Sequence, residues 1–305
     1  MTEDGPLPST PSPRFRSDAT SCVNCAAARH YVLDRQCPQG GFSFYRTPEW
    51  GVEEPNALDT YAALASLRRL RTSPPNSGRI VDWLQDLQRT DGSWPSLPIA
   101  WAAIEALALL RRTPRSDSRA WLQDIWASRV VAFAGGERDW RGTLGSLLQV
   151  VELLRRLDPD VLSGGRDLLQ TRFDCARTDG GAWATPGADL ETTGIAWRLA
   201  RRAGLRVDRA ALRAWWCRCE DPALGLRFAP HAWMTSVGAL LGGLDVAQGL
   251  GVMPRYAGAI CRQIGMLQHS GGGFGARHQA LPSLWDTWQA LCAVSRLQRL
   301  LRGQL

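Results

Sequence analysis

The sequence predicts an all-α protein, six helix pairs closed into two concentric rings, an (α/α)6 architecture in one domain. Three observations predict it. A short Gly-rich loop carrying an aromatic or apolar residue recurs six times along the 305 residues, and such self-similarity marks a repeat architecture. The stretch before each loop has helical spacing with one apolar face. The stretch after each loop is apolar nearly all round, which obliges burial on every side. A half-wet set of helices around a dry set makes two rings, and six pairs close them.

Residues 1–18, MTEDGPLPSTPSPRFRSD, are rich in Pro, Ser and Thr without apolar periodicity, and a flexible tail is expected there, with the ring domain over 19–305. The loops then read QCPQGGFSF (36–44), QRTDGSW (88–94), GGERDW (135–140), ARTDGGAW (176–183), EDPALGLRF (220–228) and HSGGGFG (269–275). Gly ends a helix and permits a sharp reversal while the aromatic packs beneath it, so these loops are assigned to stability. Ahead of the second loop, GRIVDWLQDLQR places Ile80, Val81, Trp83, Leu84 and Leu87 at helical spacing. The inner helices follow as LDTYAALASLRRL, AWAAIEALALL, LGSLLQVVELLRRL, ETTGIAWRLA, TSVGALLGGL and DTWQALCAVSRL.

Composition narrows the function. Net charge is +7, yet all 36 basic residues are Arg, scattered rather than gathered in blocks, which speaks against a nucleic-acid footprint. Without lysine there is no Schiff-base nucleophile and no P-loop lysine. The eight cysteines, Cys22, Cys25, Cys37, Cys175, Cys217, Cys219, Cys261 and Cys292, lack both a compact loop framework and zinc-finger spacing, so reduced thiols and a cytoplasmic location are expected. No signal-like segment opens the chain, and no apolar run reaches the roughly 20 residues that cross a bilayer.

Aligning the inner-helix starts puts Asp59, Ala100, Gly145, Glu191, Thr235 and Asp286 at equivalent first-turn positions around one end of the central cavity. Three are acidic. Asp59 in NALD and Asp286 in SLWD each stand three residues after an Asn or Ser, so both also read as capping arrangements. In ADLETTGIAW (188–197), Asp189 serves as the cap and leaves Glu191 in the first turn with its side chain available. Tyr61, Trp101, Trp197, Trp233, Trp285 and Trp288 lie in or beside inner segments, where aromatics either fill the core or line a cavity.

At these residues a resemblance enters. QRTDGSW is similar to the QW motif of squalene and hopene cyclases, and QGGFSFYRTPEWGVEEPNALDTYAALASL resembles the repeat of protein prenyltransferase β subunits, both (α/α)6 toroids. The resemblance spans about residues 19–300. Class II cyclases protonate an alkene from the middle Asp of Asp-x-Asp-Asp-Thr, which places the acid on Glu191 and its partner on Asp189, with Thr192 where the motif has its last Asp. A helix start stabilises a carboxylate by about 0.3–2 kcal/mol. Burial raises a carboxyl by up to about 3–5 units at about 1.36 kcal/mol each, so a dry cavity keeps the acid protonated. Indole faces then stabilise the cation by about 0.5–2 kcal/mol each.

The resemblance implies a metal-free cyclisation of a linear isoprenoid or prenylated small molecule, with Asp59 and Asp286 as further catalytic candidates and Thr192 beside the substrate. No cofactor is expected, Mg²⁺ entering only as a diphosphate counter-ion. Arg46, Arg227 and Arg277 are the candidates to hold a diphosphate. Class II sites usually lie between two toroids, so a homodimer, a second subunit or the toroid's own cavity is expected to close this one, with peripheral membrane contact a further option. The rival readings are a prenyltransferase-β-like subunit, for which SLWDTWQAL lacks the zinc-binding Asp-x-Cys and His, and a non-catalytic isoprenoid-binding toroid.

Overall fold

Capping side chains decide where the inner helices begin. Asn56, Ser96, Asp189, Ser236 and Ser283 each accept the backbone N–H three residues ahead, satisfying a donor that a helix start otherwise leaves open. The computed structural model describes residues 22–45, 49, 51, 53–134, 140–157, 162, 165–178, 180–183 and 187–304. Among these, the outer helices are α1 (Cys25–Leu33), α3 (Ser77–Asp86), α5 (Arg119–Ala134), α7 (Arg166–Cys175), α9 (Arg209–Arg218) and α11 (Ala257–Met266). The inner ones are α2 (Ala57–Arg69), α4 (Leu97–Leu109), α6 (Trp140–Leu157), α8 (Leu190–Ala203), α10 (Val237–Leu250) and α12 (Leu284–Leu301).

Each inner helix packs on the next, α2 on α4, α4 on α6, α6 on α8, α8 on α10, α10 on α12, and α12 back on α2. The expected single-domain (α/α)6 ring is therefore the observed one. Its wall is nearly dry, with Ala62, Ala63, Ala103, Leu147, Val151, Leu240 and Ala293 among the fully or almost fully buried residues. Between α8 and α10 the backbones touch, because a Cβ on Gly194 would lie 2.4 Å from the Cα of Gly242.

The loops are structural, as their composition implies. Gly40, Gly92, Gly181, Gly225 and Gly272 all hold φ between 73° and 116°, a region that favours glycine. Two residues or fewer beyond, Phe42, Trp94, Trp183, Leu226 and Phe274 are buried. Two loops add antiparallel strand pairs, β1 (Glu220–Asp221) with β2 (Gly225–Leu226) and β3 (Phe274–Gly275) with β4 (Pro282–Ser283). Residues 135–139 of the third loop and the expected tail over 1–18 lie outside the described residues.

Five polar side chains, four of them in or beside a loop and one, Gln170, within α7, tie a repeat to the start of the next outer helix. Gln36 Nε2 donates to Pro75 O, Gln88 Nε2 to Ser116 O, and Gln170 Oε1 accepts from Arg206 N. Glu220 Oε1 accepts from Arg255 N. Gln268 closes the ring by donating to Asn24 O and accepting from Asn24 N. At the same seam Cys22 and Cys261 form a disulfide across 239 residues, with Cα atoms 5.9 Å apart. This corrects the expectation of eight reduced thiols, because ring closure brings the chain's first cysteine against α11, which spacing along the sequence does not show. Among the described residues no helix is long and apolar enough to cross a membrane.

Candidate active site

Counting from the observed caps revises the alignment of helix starts. Asp59 and Asp286 are third in α2 and α12, as are Ile99, Thr192 and Ala239 in α4, α8 and α10. Glu191 sits one position earlier, level with Leu58, Pro98, Gly238 and Trp285. Ala100 falls one later, Thr235 precedes its cap, and Gly145 lies in the second turn of α6. A shift of one residue turns a side chain by about 100° around a helix of 3.6 residues per turn, so Glu191 leans sideways along the ring toward α10.

There the helix wall yields to it. Gly238 has no side chain, and a Cβ at that position would meet Glu191 Oε1 at 2.6 Å. The Ser236 hydroxyl donates to Glu191 Oε1 at 2.5 Å, and Arg141 of α6 forms an ion pair with Oε2. Glu191 is thus occupied rather than available, a correction that arises because its partners come from two other repeats.

Asp189 caps α8 as expected. Its Oδ1 accepts from Thr192 N and its Oδ2 from the Thr192 hydroxyl, both at 2.8 Å, so buried Thr192 supports the carboxyl. Burial, and then the nearby charge of Glu191, pushes the Asp189 carboxyl up despite these hydrogen bonds. Asp286 takes a 2.6 Å hydrogen bond from Ser283 Oγ. It too is pushed up, first by burial and further by Glu191. Asp59 accepts from Phe44 N and Asn56 Nδ2 and is raised by burial. Asp59 and Asp286 both act on the phenol of Tyr31, which burial lifts to about 12. The four carboxyls therefore rim one end of the inner ring.

Beside this rim stands an aromatic stack drawn from three of the predicted tryptophans and Tyr61. Ring centroids are 4.6 Å apart for Tyr61 and Trp101, 5.5 Å for Tyr61 and Trp288, 6.3 Å for Trp101 and Trp285, and 4.7 Å for Trp285 and Trp288. Trp101 Nε1 donates to Glu152 Oε2 at 2.9 Å. The other two tryptophans are elsewhere. Trp233 precedes the cap of α10 and is 92% exposed, and Trp197 is buried half-way along α8 against Gly249.

Arg227 is held by Asp221 at 2.6 Å, Arg277 is exposed on the loop before α12, and Arg46 lies outside the described residues. Two cavities of about 440 and 350 Å³ open among arginines, the larger near the C-terminal ends of the inner helices and the smaller running from Arg155, Arg156 and Arg202 to Tyr61 and Trp101 of the aromatic stack, and neither is lined by the rim carboxyls. Glu105, Glu152 and Asp245, unnoticed in the sequence, pair there with Arg156, Arg202 and Arg296. The available signal was charge inside otherwise apolar helices.

The sequence matches the family described as the prenyltransferase alpha-alpha toroid domain over residues 17–190 and 226–303. The chain belongs to that family. Among curated proteins no sequence matches significantly. Among solved structures, protein geranylgeranyltransferase-I from Candida albicans complexed with GGPP is similar at a TM-score of 0.62 and 12% identity, covering 91% of this chain and 92% of that one. The type II terpene cyclase MstE from Scytonema is similar in two variant forms. With merosterolic acid A as product the TM-score is 0.58 at 12% identity, over 94% and 99% of the two chains; with geranylgeranyl dihydroxybenzoate as substrate it is 0.56 at 11%, over 95% and 99%. At such identities the likeness shows the toroid fold alone. Among the described residues no group of three or more His, Cys, Asp or Glu side chains is placed to hold a metal ion.

Proposed function

We propose that this toroid is a protonation-initiated cyclase acting on an isoprenoid or a prenylated small molecule. The observation that carries the reading is the rim of Asp59, Asp189, Glu191 and Asp286, three of which are pushed up by burial at one end of the inner ring. An acid that protonates an alkene must hold its proton when substrate arrives. Glu191, tied to Arg141 and Ser236, is a charged neighbour that adds to burial in favouring the protonated form of Asp189 and Asp286. That is a division of labour different from one in which Glu191 is itself the donor.

In the reaction a carboxyl O–H bond breaks as a C–H bond forms on the terminal alkene. The carbocation is attacked by an internal double bond, and loss of a proton from the cyclic cation returns one to the carboxylate. Trp285, next to Asp286 in sequence, and Trp101 offer indole faces to the cation. The extent of the alignment with MstE supports a single toroid as sufficient for such a site.

Incubation with geranyl, farnesyl and geranylgeranyl diphosphates and geranylgeranyl dihydroxybenzoate, with EDTA present, tests the proposal. A cyclised product that keeps its head group is expected; Asp286→Asn should lower kcat by about 10²–10⁴-fold, and Glu191→Gln, which removes only a neighbouring charge, should lower it less, by about tenfold, the size of a shift of one pKa unit. Because the protonated carboxyl is the active form and its pKa is raised, kcat/KM should be highest at low pH and fall as pH rises through that value. Full turnover in both variants, or no product from any of these substrates, overturns the reading.

A further inference from the structure

The larger cavity contains an excess of charge that the carboxyl rim does not use. Arg155 of α6, Arg198, Arg201 and Arg202 of α8, and Arg296 and Arg299 of α12 line it against a single carboxylate, Asp245 of α10. All seven lie within the last six residues of their helices. A helix C-terminus accounts for a cation or two near its own last turn; it does not account for three helices turning six arginines into one concavity.

The ion pairs leave much of this charge uncompensated. Asp245 is shared between Arg296 at 2.6 Å and Arg198 at 3.7 Å, and Arg202 reaches Glu152 at 3.8 Å. Among the described residues Arg155, Arg201 and Arg299 form no ion pair, and Arg155 spends one N–H on the carbonyl of Arg202. The indole Nε1 of Trp197, a residue only 3% exposed that lines the same cavity, also has no hydrogen-bond partner. Asp245 and Gln248 supply the remaining polar lining.

We propose that this cleft binds a multiply charged phosphate, of the diphosphate class, at the C-terminal end of the inner ring. Guanidinium forks match phosphate oxygens in pairs. The volume of about 440 Å³ falls in the range of small-molecule sites, roughly 300–1,000 Å³, and a concavity of this kind suits a compact anion better than an extended polymer or a lipid surface. The site lies ten residues along α8 from Glu191, about 15 Å at 1.5 Å per residue, so positive and negative ends of the toroid face opposite ways. It is independent of the cyclase reading, because it requires binding and no turnover.

Calorimetric titration of the intact chain with inorganic diphosphate, farnesyl diphosphate and farnesol, at constant ionic strength, tests it. Saturable binding of diphosphate is expected. The exposed pair Arg201→Gln with Arg299→Gln should weaken it at least tenfold, while Arg89→Gln, an exposed arginine of the second loop at the other end of the ring, leaves it unchanged. Tighter binding of farnesyl diphosphate than of diphosphate marks a prenyl head group as the source; equal or weaker binding marks a free anion. Circular dichroism melting of the double variant checks that it folds. The proposal fails if diphosphate does not saturate, if sulfate at the same ionic strength competes equally, or if the folded double variant binds as well as wild type.

Discussion

At the residue scale, Gly238 decides what Glu191 does. Its missing side chain lets the carboxylate cross the start of α10 to reach Ser236. Gly238→Ala would push the far end of a flexible side chain, not backbone, so the melting temperature should change little, whereas the displaced charge favours the protonated form of Asp189 and Asp286 less. A cyclisation rate lowered by up to about tenfold, with a pH profile moved to lower pH, is expected in steady-state assays; an unchanged profile would separate Glu191 from the acid. Part of this was legible in the chain. ADLETT announces a cap and a first-turn acid, and NALD and SLWD announce the other two carboxyls. Gly238, Ser236 and Arg141 were not legible, because they stand 45 to 50 residues from Glu191 and only the ring makes them neighbours.

At the scale of elements, the repeat works through two devices. One is the amide tie, in which a loop side chain satisfies the backbone at the next outer-helix start, as Gln88 does for Ser116 through both N–H and carbonyl. The Gly-aromatic signature of the loops is visible in the sequence, but the partner of each Gln is set by which repeat follows it in space. The other device is the close crossing of α8 and α10. A Cβ on Gly242 would lie 2.2 Å from Leu190 O, and here the obstacle is backbone. Gly242→Ala should therefore cost about 1–3 kcal/mol, the range for an overpacked core, read as a lower denaturation midpoint with an unchanged m-value. A neutral result would mean that the two helices can part without loss.

At the scale of the whole molecule, stability depends on joining the last repeat to the first. The disulfide between Cys22 and Cys261 and the paired hydrogen bonds of Gln268 with Asn24 lie together at that seam. A crosslink over a long loop contributes typically 2–4 kcal/mol, so Cys261→Ser, or reduction of the wild type, should lower the melting temperature by several degrees while leaving the far side of the ring protected from hydrogen exchange. Equal melting with and without reductant would count against that contribution. The number of helix pairs, their inner and outer roles and the structural duty of the loops follow from the chain alone, since hydrophobic period and glycine placement are local properties that each repeat states for itself. The rim and the arginine cleft are different. Their residues come from helices tens of residues apart, and whether a first-turn acid or a last-turn arginine meets a partner depends on the rotation of one helix against another, a quantity that close packing around the ring sets and that no single stretch of sequence contains.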